Sequence, residues 1–208
     1  MKNNATRMSV RTQAGTLYMT RLALLIAIIF LMAFTPLGYL RTPGLSITFL
    51  TVPVAVGAVT LGPSGGAACG MAFGITSLIQ CLGGGGMGAV LLGINPAGMA
   101  FTCIVPRVLE GWISGLIFRA VRRISENRAC MAASLACPFL NTLLFMTSLV
   151  LFFYPTEYVR SLAGGMGTEN PFAFAAAFVG VQGVIEACVC FVAAGAVSRA
   201  VLPAFRRA

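Results

Sequence analysis

From Thr42 to Pro106 the chain carries no Asp, Glu, Lys or Arg, a run of 65 residues without a formal charge. A soluble domain presents charged groups to water, and a segment of that length cannot be solvated without them. The rest of the chain has the same character. Of its 208 residues 58% are hydrophobic and 9% charged, and the mean hydropathy is +0.92. The class this leaves is an integral membrane protein.

The formal net charge of +9 has to be read against a bilayer. Lys2, Arg7, Arg11 and Arg21 precede the first apolar block. Arg119, Arg122, Arg123 and Arg128 cluster near the middle, and Arg199, Arg206 and Arg207 lie near the end. Basic residues gathered between apolar blocks, rather than along one face, follow the positive-inside pattern and argue against nucleic acid as a partner.

A spanning helix needs about 20 residues at 1.5 Å each to cross a hydrocarbon core of about 30 Å. The apolar blocks predict six: Leu22 to Leu40, stopped by Thr35-Pro36 and Arg41; 45–61; 64–82; 97–123; 129–153; and Pro171 to Ala200. "GPSGG" at 62–66 predicts a tight turn between the second and third. "GGGG" at 83–86 opens a loop that runs to Pro96. The expected fold is an all-α membrane protein of six transmembrane helices. Its membrane domain covers 21–203, with cytoplasmic tails over 1–20 and 204–208. Six passes put both termini on one side. With that side cytoplasmic, the three basic clusters lie inside and Arg41, Glu157, Arg160 and Glu169 lie outside. The basic flank and apolar run at the start resemble a signal peptide, but the run is long for one and lacks a small-residue cleavage site, so a retained helix is expected.

Small residues recur at four-residue spacing: Ala23 and Ala27, then Gly66, Gly70 and Gly74, then Gly111 and Gly115. Such faces let helix backbones approach closely in lipid, and packing within the bundle is expected of the glycines. Ala23 and Ala27 begin the first helix near the cytoplasmic surface and can serve either packing or a partner protein. The seven cysteines lie almost wholly in apolar stretches without a C-x-x-C pair, which suits small packing residues better than disulfides or a metal site.

Several enzyme classes fail on composition. "GPSG" at 62–65 resembles the serine motif of intramembrane rhomboid proteases, but such a serine needs a histidine to take its proton, and the chain has none. Without His or Asp a metalloprotease centre lacks its ligands. Lys2 is the only lysine, so there is no Walker loop for ATP. Binding or passage remains. Within the spans the polar candidates are Gln80, Arg107, Glu110, Asn141, Thr142, Gln182 and Glu186, one compact set rather than the repeated rings of a channel. Arg107 and Glu110 are three residues apart on one helix and share a face, so they can shield one another. A lone Arg at a helix centre costs about 2.5–3.5 kcal/mol on insertion scales, and packing alone would be served by Leu. Pro106 before it frees a backbone carbonyl and can bend the helix.

"ITFLTVPVAVGAVTLGPSGGAACGMAFGITSL" (47–78), "VPRVLEGWISGLIF" (105–118), "NTLLF" (141–145) and "QGVIEACV" (182–189) occur in order. Together they resemble the substrate-binding S component of energy-coupling factor vitamin transporters, over nearly all of residues 20–203. Ala23-x-x-x-Ala27 matches that family's first-helix motif. The later pieces look most like the pantothenate-type members, although Thr51 stands where those members often carry histidine. The resemblance implies a subunit of the cell membrane that captures a vitamin from outside. It would dock through Ala23 and Ala27 on a membrane coupling (T) subunit and rely on two cytoplasmic ATPase subunits. No cofactor is expected. For a pantothenate-type site, Arg107 would hold the substrate carboxylate through its planar two-pronged guanidinium. Asn141 and Gln182 would bond hydroxyl and amide groups, Glu186 would add to the site, and Glu110 would orient Arg107. The rival expectations are an S component for another vitamin, such as folate, or an unrelated small channel or scaffold.

Overall fold

The computed structural model describes residues 2–207 apart from 37, 43, 44, 84, 85, 168 and 169. Side chains are described over that range except for 2–14, 39–42, 45–47, 178, 181, 182 and 203–207. In hydrocarbon every backbone N–H and C=O must be satisfied within the protein, and the apolar blocks meet that demand as helices. Among the described residues five helices are long and apolar enough to cross a membrane.

Helix α1 (Lys2–Ala33) runs without a break through the stretch expected to be a tail, and its apolar part is Gly15–Ala33. The first span was expected to reach Leu40 but stops at Ala33. Pro36 disfavours helical geometry in Thr35 and offers no N–H to continue the ladder. The chain turns instead into an antiparallel hairpin of β1 (Tyr39–Thr42) and β2 (Leu45–Thr48), with Tyr39 opposite Thr48 and Thr42 opposite Leu45. The expected start of the second span at 45 is therefore strand, and its helix begins at Thr51.

Helix α2 (Thr51–Leu82) consists of two arms, broken at Gly62 with φ 80° and ψ −168°. That backbone suits a residue without a Cβ, and Pro63 behind it is preset for the first turn of the second arm. The arms fold back on one another. A Cβ on Gly66 would lie 2.9 Å from the Ala58 Cβ, and one on Gly57 2.7 Å from the Cys69 Sγ. In a straight helix residues 57 and 69 would be about 18 Å apart. The turn expected at "GPSGG" is thus present. The first arm alone reaches only about 16 Å, roughly half the thickness of a bilayer core.

The stretches expected as loops at 83–96 and 154–170 hold two short helices, α3 (Gly86–Ile94) and α6 (Glu157–Gly165). Gly84 and Gly85 of the glycine run lie outside the described residues, while Gly86 opens α3 at φ 74°. The Asn95 side chain accepts from the Gly98 N–H at 2.9 Å and starts α4 (Pro96–Val121), with Pro96 in the first turn. Helix α5 spans Glu126–Phe153. Helix α7 spans Pro171–Arg207 and is broken at Gly180, φ 43°.

The glycine sets serve packing, as expected. The second arm of α2 lies on α4 at backbone contact: a Cβ on Gly70 would strike the Arg107 carbonyl oxygen, one on Gly66 the Gly111 carbonyl, and one on Gly74 would sit 2.8 Å from the Ile104 Cα. On α1 the two readings of the alanines separate. Leu25, Ile29 and Ala33 pack into the core with Leu50, Val54 and Phe73, whereas Ala23 and Ala27 are exposed on the outer side of the helix.

The bundle has two distinct ends. At one, Val59, Phe118, Ala129, Cys130, Ala133 and Leu202 cluster, and Tyr18 and Ser64 share a hydrogen bond at 3.1 Å. Arg119, Arg122, Arg123 and Arg128 lie at the adjoining ends of α4 and α5, and Arg21 and Arg199 lie three residues from Tyr18 and Leu202. At the other, Leu91, Met99, Leu149, Phe153, Val159 and Phe174 bring α3 and α6 against α4, α5 and α7, and Gln80 donates to the Ala33 carbonyl at 2.7 Å. Glu157 and Arg160 lie on α6 at this end. The side chains of Arg41, Lys2, Arg7, Arg11, Arg206 and Arg207, and all of Glu169, lie outside the described residues.

Candidate functional site

Pro106 has no N–H to give the carbonyl four residues earlier, that of Thr102. Arg107 fills the gap: its Nη1 donates to the Thr102 oxygen at 2.5 Å. The guanidinium carbon lies 5.5 Å from the ring centre of Phe73 on α2 and 4.5 Å from that of Phe145 on α5. Two aromatic faces attract a cation by their quadrupoles, and this desolvated position is where that attraction is strongest. Arg107 is only 8% exposed, and its Nε has no hydrogen-bond partner among the described residues. A cation held by one carbonyl and two rings, with a donor left over, is ready for an acceptor.

Glu110 is one turn along the same helix and fully buried, 0% exposed. The shielding ion pair expected from the sequence is not made: neither carboxylate oxygen has a hydrogen-bond partner among the described residues. Arg107 and Glu186 are the charged groups near enough to act on it. Asn141 on α5, 8% exposed, has its Oδ1 buried with no partner among the described residues and sits one turn before Phe145. Glu186 on α7 is half-buried and faces the Thr48 backbone amide. One turn on, the Cys190 thiol donates to the Thr48 carbonyl at 3.2 Å. A two-stranded hairpin is marginal by itself, and here α7 holds its end beside the polar cluster.

The structure therefore brings Arg107, Glu110, Asn141 and Glu186 together from α4, α5 and α7. The Gln182 side chain lies outside the described residues. Other members were not among the expected site residues: Thr102, Phe73, Phe145, Ser114 and Thr51, the last noted only as standing where similar members often carry histidine. Three of them follow from spacing. Thr102 is the carbonyl that Pro106 releases, Phe145 is four residues after Asn141, and Ser114 four after Glu110. Thr51 and Phe73 come from α2, and no local pattern points to them.

Among the described residues no three metal-ligating side chains converge. A groove of about 870 Å³ runs between α5 and α7, lined by Phe139, Leu143, Met146, Phe172, Val184 and their neighbours. Its lining is mainly apolar and includes none of the ionisable cluster; of the polar candidates within the spans it takes in Thr142.

Residues 17–197 match the family of the substrate-specific component of ECF transporters. The match covers most of the chain, and the chain belongs to that family: it is a membrane-embedded substrate-binding subunit of an ECF transporter. Members bind a small molecule, associate with a T subunit and ATPase subunits, and leave ATP hydrolysis to those partners. No curated protein sequence matches the chain significantly.

Proposed function

We propose that this subunit captures pantothenate, with Arg107 as the carboxylate anchor. The observation that carries the reading is the set of buried polar atoms that have no partner among the described residues: Arg107 Nε, the Glu110 oxygens and Asn141 Oδ1. A buried polar group without a partner costs about 1–3 kcal/mol, more when charged, and a ligand that completes these bonds recovers that cost. With Nη1 committed to Thr102, the free edge of the guanidinium is the one carrying Nε, which a carboxylate can grip side-on with two oxygens. Asn141 serves the hydroxyl and amide groups, with Gln182 and Glu186 from α7.

In this reading the basic end of the bundle faces the cytoplasm, both termini included, and the first arm of α2, lengthened by the hairpin that leads into it, counts as a pass beside the second arm to give six. The vitamin enters at the end formed by α3, α6 and the hairpin. The coupling subunit docks on the exposed face of Ala23 and Ala27, and two ATPase subunits drive release. Localisation is the cell membrane.

The test is binding of pantothenate and of its neutral amide to the purified wild type and to Arg107→Gln. The variant is expected to lose affinity for the acid far more than for the amide. Equal losses for both would make the arginine structural, and tight binding of a different vitamin by the wild type would reassign the substrate.

A further inference from the structure

Glu110 was expected to steer Arg107, but no hydrogen bond joins them: the guanidinium is held by a carbonyl and two rings, and the carboxylate oxygens have no partner among the described residues. Its surroundings are polar in the same unfinished way. The Oγ of Ser114, one turn on along α4, and the Oγ1 of Thr51, at the start of α2, are both buried, and the groups facing them are the thiols of Cys137 and Cys190, which are weak partners for a hydroxyl. Cys137 on α5 ties the three to one place. Its thiol meets the Thr51 carbonyl at 3.6 Å and lies beside Ser114 and Glu110. Leaving one such group dry costs about 1–3 kcal/mol, and Leu, Ala or Val at these positions would avoid it.

We infer that Glu110 contacts the ligand itself, accepting a hydrogen bond from an amide N–H or hydroxyl in a subsite shared with Thr51 and Ser114. This rests on reading the cluster as the substrate site. The chemistry of the two anchors is opposite. Arg107 offers donors and needs an acceptor; Glu110 offers acceptors and needs a donor. Three residues of helix separate them, a rise of about 4.5 Å. The ligand class this selects is an acid that carries an N–H or O–H donor a few bonds from its carboxylate. Pantothenate has that form, with two methylene carbons between its carboxylate and its amide N–H. Hydroxyls on Thr51 and Ser114 can donate or accept, so they complete the contact whichever donor the ligand presents.

The experiment is a cycle of one ligand change against one residue change. Pantothenate and its N-methylated amide analogue, which lacks the donor, are titrated into the detergent-solubilised wild type and into Glu110→Met, with the melting temperature of each recorded. In the wild type, N-methylation is expected to weaken binding about tenfold or more. In Glu110→Met it is expected to make little further difference. The same N-methylation loss in both proteins overturns the inference. If Glu110→Met does not fold, the isosteric Glu110→Gln carries the test: the loss on N-methylation is expected to shrink severalfold as the charged acceptor becomes neutral, and an undiminished loss overturns the inference. A wild type that ignores pantothenate but binds folate or biotin, acids that also carry N–H donors, sinks the pantothenate reading alone. The inference then stands if Glu110→Met weakens that vitamin about tenfold at an unchanged melting temperature, and falls if affinity is unchanged or if stability is lost with it. A wild type that binds none of the three overturns both.

Discussion

Arg107 donates to the carbonyl oxygen of Thr102, the oxygen that Pro106 leaves without its helical donor. A break in one helix's ladder and a charge in the middle of a membrane protein thus answer one another. A proline inside a helix costs about 3 kcal/mol or more in an ordinary setting. Here the carbonyl it frees holds the site's cation in place.

Pro106→Ala tests this coupling. The new N–H at position 106 competes with Arg107 for the Thr102 oxygen and straightens α4. The melting temperature is expected to hold or rise, while substrate affinity falls about tenfold as the guanidinium loses its fixed position. Unchanged affinity would separate the proline from the site.

Gly70 lies directly behind Arg107. A side chain there meets the Arg107 carbonyl oxygen, and a backbone atom cannot move aside as a flexible side chain can. Gly70→Val is expected to destabilise the protein by about 1–3 kcal/mol or more, the range for overpacked interiors, and to push α4 away from α2. Gly93, with open space where its Cβ would fall, is the control. Thermal unfolding of Gly70→Val and Gly93→Ala in the same detergent compares the two, and similar melting temperatures would contradict the close α2–α4 contact.

Ala23 and Ala27 are exposed while Leu25 and Ile29 on the same helix are buried. Replacing both alanines with Trp is therefore expected to leave the fold and ligand binding by the isolated subunit intact. Uptake by the assembled transporter should be lost. If binding or expression fails instead, the alanines pack within the bundle and the docking assignment is wrong.

Orientation is read by labelling. In a background without native cysteines, an impermeant maleimide added outside intact cells is expected to reach Thr168→Cys but not Asn127→Cys. Lysing the cells should expose the second site. The opposite pattern would invert the bundle.

The sequence by itself determined the membrane class, the helical content and the gathering of basic residues into clusters, because charge and apolar length are properties of the chain before it folds. Arg107 and Glu110 stood out for the same reason: ions inside an apolar run are costly wherever the run ends up. What only the tertiary structure decided were the partners. Thr51 and Phe73 join the site because glycines at 66, 70 and 74 bring α2 to backbone contact with α4, and only the resemblance, not the spacing around it, drew attention to Thr51. The Arg107–Glu110 pair was plausible from three-residue spacing, yet Phe73, Phe145 and the Thr102 carbonyl take the guanidinium first. The hairpin at 39–48 and the short helices α3 and α6 were likewise illegible. Segments of four to nine residues are too short for periodicity to identify, and they are held by contacts to distant helices, such as Cys190 to Thr48, rather than by their own propensity.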